Sequence, residues 1–122
     1  MKFLCMVWLD GKKIDALPQR EKDTLDRNSL DHDQALLTSG HLLAAQALQS
    51  PNTAVTVRMR DGKVSTTDGP FIETKEHLGG FLLIEARDRD EAVRIASEVP
   101  ILKYGPIEVR PIYVVPRPKD DA

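Results

Sequence analysis

The spacing of apolar residues changes several times along the chain, and each change predicts a new element. Residues 2–8 are a nearly unbroken apolar run of strand length, closed by Asp10-Gly11. Gly11 to Leu17 reads as a loop. A helix is predicted to open at Pro18, because proline at the first helical position gives up an N–H that has no partner there. It runs to about Ser39, with Gly40 suited to the C-terminal cap. Residues 42–48 give a short strand, and Ser50-Pro51-Asn52 a turn. Residues 53–60 then alternate, with Val55, Val57 and Met59 against Thr56, Arg58 and Arg60. Asp61-Gly62 follows and residues 63–67 return, the pattern of a β-hairpin closed by a type I′ turn. Residues 67–78 are irregular, and 79–86 form a strand. Asp88 caps a second helix, with Glu91 three residues on as in a capping box. Ala92, Ile95, Ala96 and Val99 supply its apolar stripe, and Pro100 ends it. Residues 107–115 form the last strand. The order β, α, β, hairpin, β, α, β predicts an α+β two-layer fold of ferredoxin-like type with an extra β-hairpin. One domain is expected over residues 1–115, followed by a solvated C-terminal tail over 116–122.

The same pattern predicts a partner. In such a fold the helices cover one face of the sheet, and the other should be polar if it meets water. In the first strand Phe3, Cys5 and Val7 point one way and Leu4, Met6 and Trp8 the other. Around 81–86, Phe81 and Leu83 oppose Leu82, Ile84 and Ala86. Both faces are apolar in two separate strands, and an uncovered apolar face marks an interface. Two copies packed face to face in a symmetric homodimer would cover it. A loop of the same chain laid over a central strand is the alternative.

Composition narrows the partners. The chain has 122 residues, enough to bury one core without staples. With 41% hydrophobic and 30% charged residues it reads as globular and not disordered. Its formal net charge is -2, and Lys12-Lys13 is too short to be a basic patch, so no direct nucleic-acid contact is expected. No run approaches the ~20 apolar residues of a membrane helix, and the apolar N-terminus lacks the length of a signal sequence. A cytoplasmic location is therefore expected. Cys5 is the only cysteine, which excludes an intramolecular disulfide. It sits in a strand without an activating neighbour, so a buried thiol is expected in place of a nucleophile.

Candidate chemistry starts on the first helix. At about 100° per residue from Leu25, Leu36 falls near 20°, Asp33 near 80°, Leu37 near 120° and Leu30 near 140°, with His32 near -20° at the edge. A carboxylate inside an apolar arc is costly unless paired, so Asp33 is expected to have a partner, either His41 or the backbone of the glycine-rich segment. It is then a general base, a ligand anchor, or a carboxylate clamping a loop. His41, just past the helix cap, could relay protons or bond the last helical carbonyls. Asp68, Glu73 and Lys75 surround Gly69-Pro70 in a loop of the kind that carries binding residues, although Asp-Gly-Pro also has a plain turn-forming reason. Gly79-Gly80 allows close approach of another backbone or a ligand, and no Lys-Ser/Thr follows to make a phosphate loop. His32, His41 and His77 lack metal-ligand spacing, so neither metal nor cofactor is expected.

The block Thr67-Asp68-Gly69-Pro70-Phe71-Ile72-Glu73-Thr74-Lys75-Glu76-His77-Leu78-Gly79-Gly80-Phe81 resembles the DGPF-domain family of the YCII-related superfamily. Ser39-Gly40-His41-Leu42, Val57-Arg58-Met59-Arg60-Asp61-Gly62 and Ile107-Glu108-Val109-Arg110-Pro111-Ile112 extend the likeness from about Met1 to Val114. The resemblance implies a dimeric α+β barrel and a function that is largely uncharacterised. Some relatives stand beside or fused to extracytoplasmic-function sigma factors. YCII-type relatives are proposed enzymes using a His–Asp pair, with the histidine on the first helix, which here carries His32. Two readings follow. One is a small-molecule binder or enzyme with its site between the sheet and the end of the first helix, lined by Asp33, His41 and Asp68. The other is an interaction module without chemistry, linked to sigma-factor regulation.

Overall fold

The computed structural model describes residues 1–119. The apolar N-terminal run forms β1, Lys2–Asp10, with Phe3, Cys5 and Val7 buried and Leu4, Met6 and Trp8 half-buried. This alternation is what a strand with one helix-covered face requires. β1 is central. It pairs antiparallel with β5, Glu76–Glu85, on one side and with β6, Ile107–Pro111, on the other. β2, Leu42–Ala47, joins the far side of β5, giving the order β2-β5-β1-β6. With the hairpin set aside, this is the strand order of the ferredoxin-like split βαβ unit.

Two helices lie on the face that carries Phe3, Cys5, Val7, Leu82 and Ile84. The longer is α2, Gln19–Thr38, and the shorter α3, Arg89–Ser97. Ala92, Ile95 and Ala96 of α3 enter the core with Val99, and Leu36 of α2 packs at its margin. α3 begins as expected: the Asp88 side chain accepts from the Glu91 N–H at 2.9 Å. Glu91 returns its carboxylate to the N–H of Arg87, one residue before the cap, at 3.0 Å. Such caps satisfy N–H groups that have no partner within the helix.

The hairpin is formed by β3, Val55–Arg60, and β4, Lys63–Asp68, as a separate two-stranded sheet. Asp61 and Gly62 both have positive φ, 50° and 76°, as a type I′ turn demands. Val55, Val57, Met59 and Val64 of the hairpin are exposed. The Arg58 guanidinium lies 5.1 Å from the centre of the Phe71 ring, tying the hairpin to the loop that follows it.

Four boundaries differ from the sequence pattern. Gly11–Asp15, expected as loop, is a short helix, α1, because the Asp10 carboxylate accepts the Lys12 N–H at 3.1 Å and caps it. β5 starts at Glu76, before the expected residue 79, because Leu9 and Asp10 of the long β1 offer partners to His77 and Glu76. β6 stops at Pro111 and does not run on to 115. Ile112 N–H still bonds the Lys2 carbonyl at 2.9 Å, but β1 has no residues left to pair beyond it. Thr53 belongs to a 3₁₀ turn, Pro51–Thr53, and β3 begins at Val55. The expected tail is exposed over 116–119, and residues 120–122 lie outside the described residues.

Gly80 is fixed by contact. A Cβ there would lie 2.8 Å from the Gln46 carbonyl oxygen of the neighbouring strand, and one on Gly79 would meet the Leu9 side chain at 2.5 Å. Gly80→Ala is expected to cost about 1–3 kcal/mol through overpacking against backbone. Ile84, 0% exposed at the centre of the core, is expected to cost about 2–5 kcal/mol when truncated to alanine. Urea unfolding followed by circular dichroism measures both, and a change under 0.5 kcal/mol would be the size of a surface effect, by the usual limit of about 0.5 kcal/mol.

Candidate functional site

Not one of the 20 residues of α2 is fully buried. The helix rests on β2 and on the 3₁₀ turn Pro100–Lys103, and bridges the sheet between these supports. Beneath it lies a cleft of about 520 Å³. α2 contributes Leu25, Asp26, Ser29, Leu30 and Asp33; β2 contributes Ala45, Gln46 and Ala47; Val7 and Leu9 come from β1. Gly79 and Gly80 of β5 line the floor with bare backbone, beside Leu82. A register shift between Val7 and Trp8 falls opposite these glycines. Such bulges re-aim the strand locally.

Asp33 therefore faces an apolar cleft. Burial pushes its carboxyl above the ordinary 3.8, and the neighbouring His32 partly offsets that. Among the described residues no donor hydrogen-bonds this carboxylate, so the partner expected from the sequence, His41 or the glycine-rich backbone, does not hold it. The Nδ1 of His32 is buried without a partner.

His41 lies elsewhere. Its Nδ1–H donates to the Glu85 carbonyl oxygen at 2.8 Å, and the same nitrogen is 4.0 Å from Glu91 Oε1. It stitches the start of β2 to β5 and α3 and is not among the residues lining the cleft. The Arg87 N–H bonded to Glu91, with Arg87, His41 and Arg94 around it, holds the Glu91 carboxyl below its ordinary 4.5. Asp68 is in a third place. It lines a separate depression of about 380 Å³ with Glu73, Thr74, Asn52 and His77, beside Gly69-Pro70. Lys75 is exposed and lines neither hollow.

The structure thus brings Asp68 and Glu73 together and separates both from Asp33 and His41. It adds Asp26 and Ser29, two turns and one turn before Asp33 on the same helix face, a spacing already visible in the sequence. It also adds His77, whose Nδ1 is buried without a partner. Only the pairing of β5 with β1, which sets His77 opposite Leu9, puts it beside the Asp68 loop. Cys5 is 1% exposed, and burial pushes its thiol up to about 11, which leaves it inert at neutral pH. Among the described residues no three His, Cys, Asp or Glu side chains converge as metal ligands would.

The profile of the YCII-related domain matches residues 1–116. The chain belongs to the YCII-related family. An uncharacterized protein of Rhizobium meliloti is 30% identical over 114 residues, covering 92% of each chain. Among solved structures, the 5-chloro-2-hydroxyhydroquinone dehydrochlorinase of Burkholderia phenoliruptrix superimposes with a TM-score of 0.54 at 17% identity, over 93% of this chain and 94% of that one. That structure is a complex with 2,5-dihydroxybenzoquinone. At this identity the likeness establishes a shared YCII-like fold, in agreement with the α+β architecture the sequence pattern predicts.

Two carboxylates of this YCII-related protein give opposite pH signatures. Asp33 has a folded-state pKa above its unfolded value, so folding favours its protonated form. Its charge costs stability at neutral pH, and the cost vanishes as pH falls through the folded-state pKa and below 3.8. Asp33→Asn is expected to raise the urea midpoint at pH 7 and to lose that advantage near pH 3; a lower midpoint at pH 7 would reveal a compensating partner. Glu91, depressed by its contacts, contributes stability above 4.5 that is lost as pH falls through its lower folded-state pKa. Glu91→Gln is expected to lower the midpoint at pH 7, with the two proteins converging in acid. Equal midpoints at pH 7 would mean that the Arg87 and His41 contacts contribute nothing.

Proposed function

We propose that this YCII-related protein binds a small molecule in the cleft beneath α2 and that Asp33 is the acid–base group of an enzymatic site there. The observation that carries the reading is an unpaired carboxylate with a raised pKa facing an apolar cleft of about 520 Å³. Groups so perturbed are poised to exchange protons nearer neutral pH, and cavities of this size and character suit small ligands. The dehydrochlorinase, which binds a small quinone on the same fold, supports the reading by analogy. His32, which precedes Asp33 by one residue and acts on it by its charge, lies outside the cleft lining. His41 is a positioning residue that holds β2. Asp68 and Glu73 with Lys75 form a second candidate binding region on the Asp68–Lys75 loop.

The protein is further proposed to act as a homodimer. α2 and α3 share one face of the sheet, and the opposite face presents Leu4, Met6, Trp8, Phe81 and Leu83, half-buried. A second copy on that face would complete their burial. Among the described residues no helix is long and apolar enough to cross a membrane; the cytoplasmic location expected from the sequence is part of the proposal. An interaction module, and with it a sigma-factor link, is favoured by a different feature: the exposed apolar side chains of the hairpin and of Ile112–Val115.

A metabolite library screened by thermal shift against the wild type and Asp33→Asn, with mass by light scattering, tests these readings. A compound that raises the melting temperature of the wild type alone, in a protein of twice the chain mass, is the expected outcome. A dimer that answers no compound would move the assignment to the interaction module. A monomer at micromolar concentration would remove the proposed interface.

A further inference from the structure

The lining of the α2 cleft has a charge of one sign. Asp26 and Asp33 project from the same helix face two turns apart, with Ser29 between them. Among the described residues no lysine, arginine or histidine lines the cleft. The opposite wall is hydrocarbon and glycine backbone apart from Gln46, which is uncharged. A ligand carrying a carboxylate or phosphate would bring a third negative charge into a partly desolvated space without a cation to meet it, and like charges at short range in low dielectric repel strongly. A hydroxyl or ammonium group would instead give the Asp33 carboxylate the hydrogen bond that the protein does not supply. Asp33 is half-buried, so a ligand that closes over it displaces its water, and one that brings a donor replaces the lost hydrogen bond where an acid does not.

Resting on the small-molecule reading above, we infer that the cleft selects an apolar molecule headed by a hydrogen-bond donor, an alcohol, phenol or amine, and excludes acids of the same size. The head contacts Asp33, and the apolar body lies on Gly79, Gly80 and Leu82.

The test uses the full chain and a matched set: 3-phenylpropylamine, 3-phenylpropanol and 3-phenylpropanoate. Affinity is measured by calorimetry at pH 7.5, and the place of binding by amide shift changes in two-dimensional NMR. The expected result is that the amine, the alcohol or both bind at least tenfold more tightly than the propanoate. The shifts should centre on Ser29, Gly79 and Gly80, and Asp33→Asn should bring alcohol and propanoate within about threefold of each other. Comparison of amine with alcohol then identifies the head group. Propanoate binding in the cleft as tightly as the others would overturn this inference while leaving the small-molecule reading in place. Shifts confined to other surfaces, or no binding by any of the three, would overturn both.

Discussion

The antiparallel pairing of β1 with β5, from Lys2 against Glu85 to Asp10 against Glu76, is the contact on which the other features of this protein depend. It sets Phe3, Cys5 and Val7 beside Ile84, Leu82 and Gly80 on one face, and so decides which face the helices cover. A shift of one residue would exchange the two faces, because side chains alternate with a period of two. The bulge between Val7 and Trp8 falls where β5 has two glycines, the place where the cleft floor is bare. The same pairing carries β5 back to Glu76 and brings His77 next to the Asp68 loop. Core, cleft and loop depression are thus three consequences of one register.

α2 stands in a different relation to the sheet from α3. The short α3 sends Ala92, Ile95 and Ala96 into the core and is capped at both Asp88 and Glu91. α2 is more than twice as long and buries none of its residues fully. Its Leu30, 70% exposed, and Leu37, 57% exposed, spend apolar surface on solvent. A helix held at its margins over an apolar floor leaves a space, and here that space contains the carboxylate with a raised pKa. Core packing and the cleft are therefore divided between the two helices. α3 and the centre of the sheet supply the packed core, and α2 roofs the cleft with a face too polar to close it.

His41 stands outside the cleft and joins three elements through its contacts. His41 bonds the Glu85 carbonyl, and Glu91 gathers Arg87, Arg94 and His41 around a helix cap. These contacts tie the start of β2 to the end of β5 and the first turn of α3. They hold the strand that forms one wall of the cleft, at a distance from the wall itself.

Periodicity and turn chemistry alone determined the number, type and order of the main elements, because alternation, capping and the Asp-Gly turn are local. The 3.6-residue period also placed Asp33 on the sheet-facing side of its helix, and the apolar character of both strand faces was visible before any pairing was known. The Asp68–Gly80 block pointed to the family for a similar reason, since it is contiguous. Tertiary structure decided the rest. Whether Gly11–Asp15 becomes a helix depended on one side-chain bond from Asp10, and where β6 stops depended on where β1 starts. Whether Asp33, His41 and Asp68 share a site depended on strand order: β2 and β5 put His41 at Glu85, while the hairpin carries Asp68 away on a separate sheet. Convergence of residues distant in sequence is a property of long-range pairing, and a one-dimensional period contains no information about it.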